Sequence, residues 1–279
     1  MKKNSILKLV TTAALALTIS TSAAALSACG EDKEKTITVA ASVTPHAEIL
    51  TEVVKPILKE QGYTLKVVEF QDYVQPNLVV EQGGADANYF QHNLYLEDFN
   101  ATRGTHLVAA AQVHYEPFGV YRGSFTGSSL RDLPNGAKVG IPNDGTNEAR
   151  ALKLLEREGL ITLREGTTSS TVTVLDITSN PKNLDIEELE AAQVPKSLRD
   201  LAVGVINGNY ALQNDLRIAD AIASEDNTDE NVRQYVNVLA VKSGNENLPK
   251  IQALVEALLS DAVKTFIQTQ YNGAVVAVF

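Results

Sequence analysis

The chain has 279 residues, of which 44% are hydrophobic and 21% are charged, a balance that excludes an intrinsically disordered protein. Its 34 acidic and 24 basic residues give a formal charge of −10, which argues against nucleic acid as a partner because phosphate contacts need clustered cations. The single cysteine excludes a disulfide framework and any multi-cysteine metal site.

The first 28 residues have the pattern of a lipoprotein signal peptide. Lysines at positions 2, 3 and 8 precede an apolar run over residues 9–19, and small residues then lead to Leu26-Ser27-Ala28-Cys29. Small residues before the one cysteine match a bacterial lipobox. The pattern predicts cleavage after Ala28, acyl chains such as palmitate on Cys29, and a tether over residues 29–35. The mature protein is then anchored on the extracytoplasmic face of the cell membrane. An ordinary secretory signal, with no role for Cys29, is the alternative.

Strand and helix patterns alternate from the tether to about residue 121. Residues 44–58 carry apolar side chains three and four apart, which predicts a helix that ends at Gly62. A shorter helix around residues 78–80 ends at Gly83-Gly84. The predicted strands cover residues 36–40, 65–70, 107–112 and 118–121. This alternation predicts an α/β architecture with mainly parallel sheets.

A second α/β pattern begins near residue 122. Glu148 lies in the first turn of a predicted helix over residues 148–158, where the helix dipole favours a negative charge. The acidic stretch of residues 220–233 lacks an apolar rhythm and is predicted to be a solvated connection. The other predicted elements are strands over 138–141, 201–206 and 235–241, two helices within 248–267 that break near 260–261, and an apolar tail over 275–279. Two α/β units in one secreted chain indicate a ligand cleft between hinged lobes.

No local motif in the sequence indicates catalysis. The serine-hydrolase elbow, the phosphate-binding loop, the H-E-x-x-H pair and the C-x-x-C pair are all absent. A hydrolase built on a Ser-His-Asp triad stays open, because all three residue types are present. The four histidines, at positions 46, 92, 106 and 114, are scattered, and a metal-capture protein would need two or three of them with a carboxylate.

Seven short segments of the mature chain resemble one family when they are taken in order. They are Asn88-Tyr89-Phe90-Gln91-His92, Tyr115-Glu116-Pro117-Phe118-Gly119, Ile141-Pro142-Asn143-Asp144 with Thr146-Asn147-Glu148-Ala149-Arg150, Ser179-Asn180-Pro181-Lys182, Val205 to Ala211, Tyr235-Val236-Asn237 and Tyr271-Asn272-Gly273-Ala274-Val275. This order is similar to that of the NlpA-type methionine-binding lipoproteins, which serve ABC importers. The resemblance implies a type II periplasmic binding protein fold, with residues 36–120 and 239–279 in one lobe and 121–238 in the other. Crossings between the lobes are expected near residues 119–121 and 237–239.

The resemblance also implies which polar residues bind the ends of a free amino acid. Arg150, in the first turns of a predicted helix, becomes the carboxylate anchor, because a guanidinium offers a planar pair of donors and the helix N-terminus adds more. Asn207 and Asn237 offer neutral amides that can accept from an ammonium and donate to a carboxylate. Asn147 is included with them, although it is also placed to cap the helix of Arg150. Without the resemblance, Arg150 reads as a solvated surface residue and Asn207 as a turn residue.

Four further residues are expected, from the resemblance, to form the wall of the side-chain pocket: Tyr73, Phe90, His92 and Tyr95. A thioether is polarizable, and each contact with an aromatic ring contributes about 0.3–1.5 kcal/mol. Three rings therefore favour methionine over an aliphatic rival by a modest factor. The alternatives are an ordinary aromatic core for Phe90 and Tyr95 and a structural role for His92.

The sequence thus predicts a lipid-anchored binding protein that captures methionine between its lobes and delivers it to an importer permease driven by a cytoplasmic ATPase. No catalysis, cofactor, metal or nucleic acid is expected. Another small amino acid or a methionine-containing dipeptide is the alternative ligand. A metal-capture lipoprotein and an extracytoplasmic hydrolase are the alternatives from other functional classes.

Overall fold

The computed structural model describes residues 34–168, 171–226 and 230–279. The predicted signal peptide and the lipid attachment at Cys29 lie outside these residues, so both stay predictions. Among the helices of the described ranges, none combines the length and the apolar character needed to cross a bilayer.

Strands and helices alternate along most of the described chain. The strands are β1 (Thr36–Ser42), β2 (Thr64–Phe70), β3 (Ala87–His92), β4 (Leu107–Tyr115), β5 (Gly119–Arg122), β6 (Lys138–Pro142), β7 (Thr162–Leu163), β8 (Ile177–Ser179), β9 (Asp185–Leu189), β10 (Val203–Ile206), β11 (Ala223–Ser224), β12 (Val236–Lys242) and β13 (Val276–Ala277). The α-helices are α1 (Lys55–Glu60), α2 (Gln75–Glu81), α3 (Asn93–Arg103), α4 (Gly145–Arg157), α5 (Gly208–Gln213), α6 (Pro249–Leu258) and α7 (Asp261–Tyr271). Two π-helical turns, Val43–Ala47 and Leu50–Val54, lead into α1.

A six-stranded sheet in the order β13-β4-β12-β3-β1-β2 forms the framework of what we call the first lobe. β1 pairs in parallel with β2 and β3, whereas β12 is antiparallel to β3 and β4. The helical stretch before β2 and the helices α6 and α7 cover one face, where Leu50, Leu254 and Ile267 are fully buried. Burial of such side chains is the main stabilising contribution to the lobe.

A five-stranded sheet in the order β11-β5-β10-β6-β9 forms the second lobe. β6 is parallel to β9 and β10, and β5 is antiparallel to β10 and β11. The apolar face of α4 packs on this sheet, where Leu152, Leu155 and Val203 are fully buried. The expectation of mainly parallel sheets is therefore wrong. The chain leaves the first sheet at the end of β4 and re-enters it at the same edge, where Val236 of β12 pairs with Tyr115 of β4. β12 therefore runs antiparallel to both of its neighbours, β3 and β4.

The chain passes from the first sheet to the second over residues 116–118, between β4 and β5. It returns between β11, which ends at Ser224, and β12, which begins at Val236. The predicted lobe division, which gives residues 121–238 to the second lobe, stays a prediction. Strand pairing alone places the second change of sheet slightly earlier than residues 237–239, because all of β12 pairs within the first sheet.

Most of the predicted elements are confirmed within a few residues. The helical stretch after β1 ends before Gly62, whose φ of 82° suits glycine, and the break between α6 and α7 falls at residues 259–260. The strand β3 and the helix α3 were not predicted. The expectation that residues 220–233 form a solvated connection is wrong at Glu225, whose side chain is only 9% exposed.

Candidate ligand-binding site

A cavity lies between the two sheets, at the ends of strands from both lobes. It is narrow with the lobes in this arrangement, with a volume of about 20 Å³, which is room for about one water molecule. We call it the central cavity, and it is lined by Tyr73, Phe90, Gln91, His92, Tyr95, Glu116, Asn147, Arg150, Asn207, Gly208, Asn209 and Asn237. All eight residues named as ligand contacts from the sequence are among them. The structure brings them together, and their contact with a ligand stays a prediction.

The topology explains why residues so far apart in sequence meet. Phe90 and His92 end β3, and Glu116 follows β4 directly. In the second lobe, α4 follows β6 and presents Arg150, and Asn207 lies between β10 and α5. Ligand sites of open α/β sheets lie beyond the carboxyl ends of parallel strands, and these positions follow that rule.

Arg150 is buried and held in place from several sides. Its guanidinium lies between the rings of Phe118 and Tyr235, with its central carbon 4.5 and 4.2 Å from the two ring centroids. Nε donates to Glu225 Oε1 at 2.8 Å and Nη2 donates to Glu225 Oε2 at 2.5 Å. Nη2 also donates to the backbone oxygen of Glu116 at 2.9 Å. The Nη1 group of Arg150 donates to neither Glu225 nor Glu116.

The Arg150–Glu225 pair is ionised on both sides. Burial alone would raise the pKa of Glu225, but the adjacent guanidinium and its hydrogen bonds hold that pKa below the usual value. Burial opposes the charge of Arg150, and the carboxylate of Glu225 more than offsets this, so the pKa of Arg150 is raised. The carboxylate anchor predicted from the sequence is thus already paired with an internal carboxylate.

Glu116 is a buried carboxylate in the wall of the cavity, and the sequence reasoning did not name it as a contact. His114 Nε2 donates to its Oε1 at 2.7 Å, and the backbone N–H of Asn209 donates to the same carboxylate. Burial raises the pKa of Glu116, although His46 and Arg150 nearby partly offset this. A Cβ on Gly208 would lie 2.8 Å from Glu116 Oε2, so glycine is required there for the carboxylate to fit.

Two neutral histidines, His46 and His114, support the cavity wall by hydrogen bonds to Asn237 and Glu116. Burial lowers the pKa of His46 to about 4 and that of His114 to about 3. The hydroxyl of Tyr89 donates to His114 Nδ1 at 2.5 Å, which leaves Nε2–H to donate to Glu116. His46 Nε2–H donates to Asn237 Oδ1 at 3.0 Å, while Nδ1 accepts from the hydroxyl of Ser42. Asn237 therefore keeps its Nδ2 group as a donor toward the cavity.

His46, His114 and Glu116 also form a group whose ligand atoms lie within 4.8 Å of one another. A metal ion there would need the two Nε2 atoms as lone-pair donors. We assign the proton to Nε2 in both rings, because one Nε2 faces the carboxylate of Glu116 and the other faces the amide oxygen of Asn237, and both oxygens are acceptors. The cluster therefore fits a hydrogen-bonded support for the cavity wall better than a metal centre.

Asn147 and Asn207 form a linked pair of amides. Asn207 Nδ2 donates to Asn147 Oδ1 at 3.0 Å, and Asn147 Nδ2 donates to Asp144 Oδ1 at 2.8 Å. Asp144, not Asn147, caps α4, since its side chain accepts from the backbone N–H of Asn147. Within the described residues, Asn207 Oδ1 and Asn209 Nδ2 are buried and have no hydrogen-bond partner. They are one acceptor and one donor for a polar ligand.

His92 has both ring nitrogens engaged by the protein. Its Nδ1 accepts from the backbone N–H of Tyr95 at 3.0 Å and caps α3, while Nε2 bonds Asn147 Oδ1 at 3.3 Å. Burial and the charge of Arg150 lower the pKa of His92 to about 3, so the ring is neutral. Its position fits a pocket-shaping role and a bond between the lobes.

Aromatic rings form the apolar side of the cavity. Tyr73, Phe90 and Tyr95 lie with ring centroids 5.8–6.1 Å apart, which is the range of favourable edge and tilted contacts. Tyr73 also stacks on Tyr210 of the second lobe at 4.8 Å, and its hydroxyl donates to Asn209 Oδ1 at 2.6 Å. The wall predicted from the sequence is therefore completed by contacts across the cleft.

Comparisons with known proteins find a lipoprotein family and relatives that match most of the chain. The NlpA lipoprotein family model matches residues 37–279. The methionine-binding lipoprotein MetQ of Bacillus subtilis is 42% identical over 264 residues, which cover 92% of this chain and 94% of the relative.

Two solved structures have the same fold. A protein of Ruminococcus gnavus is 55% identical with a TM-score of 0.85, covering 88% of this chain and all of that one. A nutrient-binding protein of Burkholderia cenocepacia, solved with methionine bound, is 44% identical with a TM-score of 0.82 and covers 87% of this chain and all of that one. The predicted two-lobe α/β binding-protein fold is thereby confirmed.

Proposed function

Since this chain belongs to the NlpA lipoprotein family, we propose that it captures methionine in the central cavity and delivers it to an ABC importer. The observation that carries this proposal is that one cavity is lined by a buried carboxylate, Glu116, a buried guanidinium, Arg150, and the aromatic rings of Tyr73, Phe90 and Tyr95. A free amino acid has a cation, an anion and a side chain, and this cavity presents a matching group for each. The methionine-bound relative supports the choice of side chain.

The ammonium group of the ligand pairs with Glu116. A buried carboxylate is costly unless a cation or strong donors compensate it, and the raised pKa of Glu116 reflects that cost. Asn207 Oδ1 adds an acceptor without adding charge. A primary ammonium has three N–H donors, and a carboxylate oxygen of Glu116 and Asn207 Oδ1 are suited to receive two of them.

The carboxylate of the ligand lies against the Nη1 end of Arg150. The amide groups of Asn209 and Asn237 supply further donors, since Asn209 Nδ2 is buried without a partner and His46 holds only the oxygen of Asn237. Neutral amides let the site bind a carboxylate without adding positive charge to the paired guanidinium. The predicted contacts Asn237 and Arg150 thus keep their roles, with Asn209 as an addition.

The thioether packs on Tyr73, Phe90 and Tyr95. Sulfur is polarizable, and each contact with a ring contributes about 0.3–1.5 kcal/mol. Amino acids with aliphatic side chains of similar length still pack on these rings but lack the sulfur contacts. They are therefore expected to bind only modestly more weakly than methionine. A methionine-containing dipeptide needs room beyond the carboxylate, on the side where the guanidinium of Arg150 is paired with Glu225.

The remaining parts of the proposal concern the protein's place in transport. Cys29 carries the lipid anchor on the extracytoplasmic face, and the two lobes present the loaded protein to a permease whose ATPase drives import. The protein is not an enzyme in this proposal, and Arg150 and Glu116 act as fixed charges. Release of the ligand requires the lobes to separate, since both contribute to the cavity wall.

The proposal is tested on freshly purified protein that lacks the signal peptide. Native mass spectrometry is expected to show one bound methionine, and calorimetry after ligand removal is expected to show tight binding of methionine and weak binding of serine. Bound zinc without bound methionine would instead favour the metal-capture alternative. Turnover of ester or peptide substrates would favour a hydrolase.

A further inference from the structure

Glu225 is the residue of the site that sequence reasoning placed in solvent. It follows β11 on the connection that returns to the first lobe, yet its side chain is only 9% exposed. Its carboxylate accepts two hydrogen bonds from Arg150, one from the hydroxyl of Tyr115 at 2.6 Å and one from the backbone N–H of Phe118 at 2.9 Å. Four donors therefore fix one carboxylate at the rear of the central cavity.

This arrangement sets the net charge that a ligand meets. Arg150 and Glu225 cancel, and the lining histidine, His92, is neutral because burial and the charge of Arg150 lower its pKa to about 3. His46 and His114, behind Glu116, are neutral as well. Glu116 is then the uncompensated charge among the lining residues of the described chain. The lining residues together with Glu225 then carry a net charge of about −1 before a ligand enters.

We propose that Glu225 is a specificity-determining residue which neutralises Arg150 from within, so that the cavity selects ligands by their ammonium group and rejects those with a net negative charge. The inference rests on the proposed function, because it assumes that an amino acid occupies the central cavity. It also assigns Arg150 a smaller share of the electrostatic attraction for the ligand. The guanidinium orients a carboxylate through Nη1, while most of its charge is already matched by Glu225.

A purely structural role for Glu225 is the rival explanation. Glu225, Arg150 and Tyr115 link the two crossings between the lobes, so loss of Glu225 could loosen the site without changing its charge. A structural role predicts that all ligands weaken in parallel. A charge-setting role predicts that ligands of opposite charge change in opposite directions.

The test uses three ligands of nearly the same shape at pH 7. Methionine is neutral overall, methioninamide carries +1, and the 2-hydroxy analogue of methionine carries −1. Calorimetry on the native protein is expected to show methionine binding best and methioninamide binding at least about tenfold more tightly than the hydroxy analogue. In Glu225→Gln, the ratio of amide to hydroxy-analogue affinity is expected to fall by about tenfold to 100-fold.

Glu225→Asp is the matched control, because it keeps the charge and changes only the reach of the side chain. It is expected to weaken all three ligands together and to leave the ratio unchanged. An unchanged ratio in Glu225→Gln would overturn the inference, and so would a native protein that binds the hydroxy analogue as well as the amide. If circular dichroism shows that Glu225→Gln does not fold, the same ratio is measured in Glu225→Ser, which also removes the charge, and an unchanged ratio there would overturn the inference. Failure of the native protein to bind methionine would instead refute the proposed function itself.

Discussion

The replacement Glu116→Gln tests the central electrostatic contact of the site. An ammonium nitrogen about 3 Å from a carboxylate oxygen gains roughly 5–6 kcal/mol of Coulomb energy at an effective dielectric constant near 20. Glutamine keeps a neutral hydrogen bond worth about 0.5–1.5 kcal/mol, and desolvation of the ammonium offsets part of the remainder. A net loss of about 2–4 kcal/mol is expected, which is about 30- to 1,000-fold in methionine affinity.

Titration calorimetry with two ligands separates this contact from general damage to the site. Methionine is expected to lose affinity in Glu116→Gln, whereas the 2-hydroxy analogue, which has no ammonium, is expected to lose little or to gain. Equal losses for both ligands would refute the reasoning, because the ammonium would then not be the group that Glu116 binds.

The stability of the ligand-free variant gives an independent check. The folded-state pKa of Glu116 is raised by burial, so its contribution to stability is greatest at low pH and is lost as the pH rises through the raised pKa. Near neutral pH the ionised side chain is a cost to the fold. Glu116→Gln removes that cost, and the melting temperature without ligand is expected to be unchanged or higher. A clearly lower melting temperature would mean that hydrogen bonds of the carboxylate matter more than its desolvation.

Three further predictions depend on the geometry of the site, and a fourth depends on the lipobox pattern at Cys29. Methionine affinity is expected to fall as the pH is lowered through the pKa of Glu116, which burial raises above its ordinary value. Burial also raises the pKa of Asp144, to about 6, so the decline must persist in Asp144→Asn and disappear in Glu116→Gln. Arg150→Ala leaves Glu225 buried without its cation and is expected to lose about 30- to 3,000-fold in affinity by calorimetry, with Arg150→Lys recovering only part; near-native affinity in a folded Arg150→Ala would remove the guanidinium from the site. Tyr73→Ala is expected to weaken methionine more than serine, and equal losses in calorimetry would place that ring outside the side-chain pocket. Cys29→Ala is expected to leave the protein folded but unattached, so continued sedimentation with membranes would contradict lipid attachment at Cys29.

The sequence predicted the elements whose pattern is local. The helical stretch before Gly62 and the pair α6 and α7 carry apolar residues at helical spacing, and the structure confirms them. The sequence did not reveal the strand β3 because all six of its residues are buried and five of them are polar or aromatic, so neither alternation nor an aliphatic run marks it. Antiparallel pairs of β12 depend on how the chain returns from the second lobe, which no local pattern shows.

The site residues were predicted from the resemblance to a family. Two residues that this prediction did not include are Glu116 and Glu225. Glu116 lies within a segment quoted for the resemblance, and an acidic residue between two apolar strands is a signal that could have identified it. Glu225 had no such signal, because an acidic stretch without apolar rhythm normally lies in solvent. Its burial follows from the position of Arg150, which is 75 residues away in sequence. Long-range charge pairing of this kind cannot be read from spacing.

The hydrogen bonds that join the lobes have a consequence for the timing of transport. Tyr73 donates to Asn209, Tyr210 donates to the backbone oxygen of Gln71, and His92 is linked to Asn147. None of these bonds involves a bound molecule, and at about 1 kcal/mol each they favour closure by roughly 3 kcal/mol in total. The residence time of any captured amino acid then depends on how often these bonds break together. We therefore expect dissociation rates to vary less among ligands than their affinities do, and the importer to accelerate unloading by opening the lobes.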